Sequence, residues 1–337
     1  MMKKIILFMA YFGKPPAYFP IWMKAAAYND TIDFLLITDC REIKEKTSVP
    51  NIRVRQMDFV TFKDKVQSRF PFQIKMHDYG RVSQFRPAFG YIFPEEIKGY
   101  DLWGFIECDL IPGDIRAFLT DEVLQKHEKF FKLGHFQLYQ NTDRLNTLFM
   151  AKTPYAVNYK LAFRRNILFF EEIIGMYKIT VREKIRLYDK RVFCDIRPSH
   201  YFFERSNFSY TGESTEKCLF VYENGKLYEF WSDSQGIFQK KEVLYVHLQK
   251  REMKVCTSDW NQYLIVPNKF TAYQDVTRQL FEEINENAAV RDNRYGRFYR
   301  KMFWKNKRKR LRNPDWWIFL LIRIKIKILT VFLKNKE

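Results

Sequence analysis

Two carboxylates one position apart, Glu107 and Asp109, close the apolar run of WGFIECDLIPGDI (103–115). On a continuing strand residues i and i+2 share a face, and two carboxylates there repel unless positive charge lies between them. Where the strand runs out into a loop, such a pair suits a divalent cation; the alternative is two solvated carboxylates at a strand end. The Pro112-Gly113 turn that follows favours the ligand reading, because open α/β sheets bind ligands beyond the carboxyl ends of their strands. A second group of chemistry-bearing residues lies near 250: His247 ends the alternating run VLYVH, with Lys250 and Arg251 close behind. An imidazole and two cations are what a metal or a leaving diphosphate needs, although a strand histidine also serves as a packed, hydrogen-bonded core residue. Asp195 in VFCDIRP and Asp143 in QNTDR are carboxylates suited to accepting a proton, Asp195 first; each also suits a helix or turn cap.

These groups need a scaffold. Short apolar runs alternate with helical or loop segments over the first hundred residues, the pattern of a βα-type sheet rather than a helical bundle. Strands are expected at Lys3–Met9, Phe34–Thr38, Ile52–Gln56 and Leu102–Ile106, the last ending on the acidic pair. Helices are expected at Phe19–Ala27, after the Pro15-Pro16 punctuation, at Phe85–Phe93, near Asp121–Gln125 and around Tyr155–Phe170. The run KFFKLGHFQLYQNT reads as a strand broken at Gly134 and His135. From Cys218 to Gln249 the pattern turns to alternating antiparallel strands, with Asn224-Gly225 as a hairpin turn. No internal repeat or low-complexity linker is evident, so residues 1–290 read as one domain.

Composition narrows the class. A hydrophobic fraction of 47% with 33 Phe and 20 Tyr in 337 residues argues for a folded chain. Five cysteines without any CxxC pair suggest neither a disulfide framework nor a zinc site, and fit a reducing, cytoplasmic setting. The opening MMKKIILFMAYFGKPP copies the start of a signal peptide but lacks a small-residue cleavage site, so it reads as a first strand. The net charge of +19 is unevenly placed: residues 291–337 carry 16 Lys or Arg against 3 Asp or Glu, leaving +6 for the rest. That tail pairs Trp316 and Trp317 with a basic cluster and an apolar segment bearing Arg323, Lys325 and Lys327. Such a segment suits the membrane interface, since three charges at the centre of a span would each cost about 2.5 to 3.5 kcal/mol. Whether IRIKIKI is a strand or a helix is left open by its period-two alternation.

The ordered set YFGKPPAYFPIW, FLLITD, QFRPAFGYIF, WGFIECDLIPGDI, GHFQLYQNT and YVHLQKREM, from about Lys3 to Met253, resembles a family of bacterial glycosyltransferase-like proteins from polysaccharide gene clusters. The resemblance implies a GT-A like α/β fold: a mixed, mainly parallel sheet flanked by helices, antiparallel strands late in the domain, and here a C-terminal basic amphipathic tail. It implies a nucleotide-diphospho-sugar donor, with a UDP-sugar favoured, and Mn²⁺ or Mg²⁺. Asp109 and Glu107 stand where that family has D-x-D, with Asp109 as metal ligand and Glu107 on the metal or the ribose. His247 is assigned to metal or diphosphate, Lys250 and Arg251 to phosphate. The loop of Tyr11, Phe12 and Gly13 would lie against base and ribose, with Asp39 fixing the base or capping a turn. Arg86 would reach a phosphate or pair with an acid. His135 and Asn141 match a motif on the acceptor side, His135 also fitting a core role. The chain departs from the family pattern at Gln84, where an Asp is usual, and in having E-x-D.

The expected function is therefore a metal-dependent glycosyltransferase, peripheral on the inner face of the cell membrane, acting on a saccharide or lipid-linked acceptor in surface polysaccharide synthesis. A catalytically silent scaffold of the same fold at an anionic membrane surface is the second reading. A basic nucleic-acid-binding protein is the third, disfavoured because the basicity is confined to the tail and no nucleic-acid module is recognisable.

Overall fold

The computed structural model describes residues 2–46, 49–165, 167–206 and 216–334. Its central sheet has seven strands in the order β3-β2-β1-β4-β7-β6-β8. These are β1 (Ile5–Ala10), β2 (Ile32–Thr38), β3 (Ile52–Gln56), β4 (Leu102–Ile106), β6 (Lys129–Phe130), β7 (Phe136–Gln140) and β8 (Leu187–Tyr188). The first four run parallel, and β7 lies antiparallel to both β4 and β6. The strand order reverses at β1, so the crevice past the carboxyl ends of β1 and β4 is the place where such sheets hold ligands.

Both faces of this sheet are covered, which is why its strands are apolar without interruption. In β1, Ile5, Leu7 and Met9 join the core on one side with Phe19 and Trp22 of the Phe19–Ala27 helix. Ile6 and Phe8 point the other way, against Phe62, Phe89 and Phe93. A six-stranded sheet, β12-β11-β10-β15-β16-β14, packs beside it. It comprises β10 (Cys218–Glu223), β11 (Lys226–Ser232), β12 (Phe238–Glu242), β14 (Lys254–Cys256), β15 (Gln262–Val266) and β16 (Lys269–Ala272). Strands β10 and β11 are joined at Asn224-Gly225, with φ of +46° and +92°, the left-handed pair that a two-residue turn of this kind requires. Three short strands, β5 (Leu110–Pro112), β9 (Cys194–Asp195) and β13 (Tyr245–His247), form a third sheet.

Three expectations differ in detail. Residues Tyr79–Ala88 form a 3₁₀ segment followed by one α turn, Phe89–Ile92, because Pro87 disfavours α backbone at Arg86 before it. Of Tyr155–Phe170 only Tyr159–Arg164 is helical, capped by Asn158, and Asn166 lies outside the described residues. The tail is helical: Arg278–Leu311 runs through the expected junction at 290/291, burying Phe281, Asn285 and Ala288, and Pro314–Lys334 follows. Residues 335–337 of the tail lie outside the described residues. No described helix is long and apolar enough to cross a membrane.

Candidate functional site

Strand pairing brings together residues 140 positions apart. At the end of β4 the Glu107 N–H donates to the carbonyl of His135 at 3.0 Å, fixing where the chain leaves the sheet. The chain continues through Asp109 into β5, which pairs with β13 so that His247 faces Leu110; β13 in turn lies parallel to β9, with His247 beside Asp195. As a result His247 Nε2 lies 3.6 Å from Glu107 Oε2 and 3.5 Å from Asp109 Oδ2, while its Nδ1 lies 3.1 Å from Asp195 Oδ1. Beyond β13, Gln249 and Lys250 both adopt left-handed backbone, with φ of +55° and +57°. That bend aims the Lys250 N–H at Asp109 Oδ2, 2.8 Å away, and lets the Gln249 amide donate to Asp195.

The electrostatics are those of a cation site. Burial alone would lower the pKa of His247, but Asp109 and Asp195 outweigh it and hold the imidazole well above its ordinary range. Burial would raise Asp109, yet His247 and Lys250 hold it well below the usual carboxylate range. Asp195 is lowered in the same way, against burial, by its bond to His247. Next to this group, His135 is pushed down to about 3 by burial and then by the charge of His247, so it is neutral. Its Nδ1 meets the Tyr245 hydroxyl at 3.0 Å, its ring centroid is 4.4 Å from that of His247, and among the described residues its buried Nε2 has no hydrogen-bond partner.

Glu107, Asp109 and His247 offer oxygen, oxygen and imidazole nitrogen within 4.8 Å of one another, and His135, Asp195 and His247 form an overlapping group. A divalent cation fits this donor set: two carboxylates and an imidazole suit Mn²⁺, with Mg²⁺ the harder alternative. The orphaned His135 Nε2 supplies a further nitrogen beside it. The Asp195–His247 contact is the carboxylate–histidine arrangement that orients metal-binding imidazoles.

On the β1–β2 side, the Tyr11 hydroxyl donates to the Lys14 carbonyl at 3.1 Å, and the Gly13 N–H donates to Asp39 Oδ1 at 2.8 Å. Burial, then Cys108 and Asp109, push the Tyr11 phenol up to about 12. Asp39 thus braces the loop through Gly13, whose φ is +86°. Arg86 lies partly buried over the Phe105 ring; its Nη1 donates to Glu107 Oε1 and, at 3.1 Å, to the carbonyl of Gly134. Of its two expected roles, the structure gives it the acidic partner.

Four expected site residues lie elsewhere. Phe12 turns into the core against Phe59, Phe62 and Tyr79. Asn141 and Asp143 follow β7, whose last residue pairs with Leu102, so they sit at the opposite end of the sheet from Glu107. There Asn141 donates to the carbonyls of Ile97 and Tyr100, and exposed Asp143 opens a helical turn capped by Thr142. Arg251 is a buried clamp whose guanidinium donates to the carbonyls of Arg197, His200 and Tyr201 and to Asn268, so those donors are engaged away from the cation group. Asp195 faces the imidazole of His247, which makes it a partner of that residue.

Two acids that the motifs did not single out stand beside the group. Glu171 is buried, with Oε1 accepting from Gln84 Nε2 at 3.1 Å. Glu172 Oε1 accepts the Gly134 N–H at 3.1 Å, and burial, then Glu171, push its carboxyl up to about 8. The signal for them is Gly134: a Cβ there would come within 2.8 Å of both side chains. A separate depression of about 440 Å³, lined by Asp30, Asp114, Arg116 and Asp121 among others, lies by the start of β2, away from this chemistry.

Among solved structures, the chain is similar to the galactosyltransferase LgtC with donor and acceptor sugar analogues, at 10% identity and a TM-score of 0.33 over 57% of this chain and 75% of that one. It is similar to mouse xyloside xylosyltransferase 1 at 11% identity and 0.35, covering 58% and 88%. It is also similar to the glycosyltransferase GlyE of Streptococcus pneumoniae at 11% and 0.32, covering 56% and 45%. No curated protein matches the chain. Residues 7–274, which hold the whole acid–imidazole group, match one family along their length, and the chain belongs to that family of unknown function, DUF6625.

Proposed function

We propose that the protein is a cation-dependent glycosyltransferase that moves a sugar from a nucleotide-diphospho-sugar, a UDP-sugar in the favoured case, to a saccharide acceptor. The observation that carries this reading is the convergence of Glu107, Asp109 and His247 past the carboxyl end of β4, at the sheet's switch point. Glu107, Asp109 and His247 would hold Mn²⁺ or Mg²⁺, which when bound supplies positive charge against the departing diphosphate. Asp195 holds the His247 ring in orientation, Arg86 holds Glu107, and the Tyr11–Gly13 loop braced by Asp39 lines the donor side. Exposed Lys250 stands at the rim of the group as a cation for phosphate.

The tail supports attachment to an anionic membrane surface and hence a lipid-linked acceptor. On the Pro314–Lys334 helix, Asp315, Phe319 and Ile326 face the protein, while Trp317, Leu321, Ile324 and Ile328 are exposed. The exposed four follow a spacing of four, three and four, one stripe opposite the buried face, flanked by exposed Arg323, Lys325 and Lys327. That is the pattern of a helix lying in the interface plane.

Hydrolysis of a panel of UDP- and GDP-sugars, with Mn²⁺ and with chelator, tests the enzymatic reading. Cation-dependent release of nucleotide from one donor, lost in Asp109→Asn, supports it. Absence of both hydrolysis and stabilisation by any nucleotide refutes it in favour of a silent scaffold.

A further inference from the structure

We infer that Glu172 is the group that takes the proton from the acceptor hydroxyl, a role that rests on the proposed transfer reaction. The sheet order sets two sides about Glu107: β1 and β2, with the Tyr11–Lys14 loop and Asp39, lie on one, and the β7–β6 connection containing Gly134 lies on the other. Glu172 is held at that connection through its bond to the Gly134 N–H, and the Gly134 carbonyl in turn accepts from Arg86, which grips Glu107. A carboxyl group is thus tied through three hydrogen bonds to the cation-binding acid, on the side away from the donor loop.

The other acids of the region are committed. Asp195 is bound to His247 and Gln249, Glu171 is buried against Gln84, and Asp39, bound to Gly13, stands on the donor side. Glu172 is only partly buried, and among the described residues no Lys or Arg forms an ion pair with it. Buried Glu171 lies against the same glycine, so two acids meet at this point. The segment also meets the membrane-facing helix: Phe169 packs on Phe319, and Arg165 pairs with Asp315 at 3.4 Å. In the step itself the acceptor oxygen forms a bond to the anomeric carbon, the bond from that carbon to the diphosphate oxygen breaks with its electron pair leaving on the diphosphate, and the hydroxyl proton passes to Glu172 in its ionised form, which predominates above about pH 8.

The test uses the full-length protein, Mn²⁺ and the UDP-sugar that the wild type hydrolyses, with water as acceptor. Glu172→Gln is expected to keep the thermal stabilisation by UDP with Mn²⁺ while losing about 10²- to 10⁴-fold in turnover. Glu172→Asp is expected to recover part of that loss. In Glu172→Ala, sodium azide, a nucleophile with no proton to give up, is expected to restore turnover with a glycosyl azide as product. Wild-type turnover in Glu172→Gln, loss of UDP stabilisation together with turnover, or failure of azide to rescue would each overturn the assignment. A wild type that neither binds UDP nor cleaves any donor would instead bring down the transferase reading, and this assignment with it.

Discussion

Replacing Asp195 by Asn isolates the link between β9 and the cation site. Asn keeps the shape of the side chain beside His247 Nδ1, where the two groups stand 3.1 Å apart, but removes the negative charge that orients the ring and raises its basicity. Loss of an outer partner of a metal-bound imidazole weakens metal affinity by about 10- to 100-fold. At Mn²⁺ equal to 100 times the wild-type Kd, the wild type gains about 2.7 kcal/mol of stability, whereas the variant would gain about 1.4 or 0.4 kcal/mol. The difference, about 1.3 to 2.3 kcal/mol, corresponds to a Mn²⁺-induced rise in Tm smaller by about 3 to 5 °C, at roughly 2 °C per kcal/mol for a large domain. The assay is differential scanning fluorimetry of each protein with and without Mn²⁺, so that any change in the metal-free Tm cancels. Equal Mn²⁺-induced shifts in the two proteins would refute the chain of reasoning from strand register to metal affinity.

Three further outcomes follow from other parts of the molecule. Lys129 is fully buried and pushed down to about 7 by burial, so between pH 7 and about 10.4 the unfolded chain binds more protons and stability rises with pH; Lys129→Met should be more stable than wild type below pH 7, an advantage that shrinks toward pH 10 in urea titrations. Glu229 is fully buried and accepts from Arg205 Nε at 2.8 Å, so Arg205→Met, which among the described residues leaves it only the exposed Lys241 as an ion-pair partner, should cost about 3 kcal/mol by chemical denaturation. Combined Trp317→Ser, Leu321→Ser and Ile324→Ser should abolish flotation with anionic liposomes while the Tm stays within a few degrees, because all three side chains point away from the core; deleting residues 301–337 is a poorer test, since it strips out buried Asp315, Phe319 and Ile326.

The central strands were legible because each carries its own signal. Leu102–Ile106 is an unbroken apolar run, and Asn224-Gly225 can hardly be anything but a hairpin turn. The acid pair was legible for the same reason, as charge placed at the end of such a run. What joins it to His247 is the register of β5, β13 and β9, three strands of two or three residues each, too short to leave a periodic trace. Lys250 and Arg251 show how far spacing reaches: adjacent in sequence, one gives its backbone N–H to Asp109 while the other turns its guanidinium onto carbonyls of the 197–201 segment. Glu172 was hidden because its meaning comes from Gly134, 38 positions away, where the missing side chain makes room for it.

The central claim is that Glu107, Asp109 and His247 hold a divalent cation against a nucleotide diphosphate. Crystals of the protein grown with Mn²⁺ and UDP, measured at the manganese edge, test it most directly. One strong anomalous peak is expected between Asp109 and His247, with the diphosphate completing its coordination, and no such peak in Asp109→Asn. Well-ordered UDP bound elsewhere, or a cleft in which His247 pairs with both acids and no manganese signal rises above background, would contradict it.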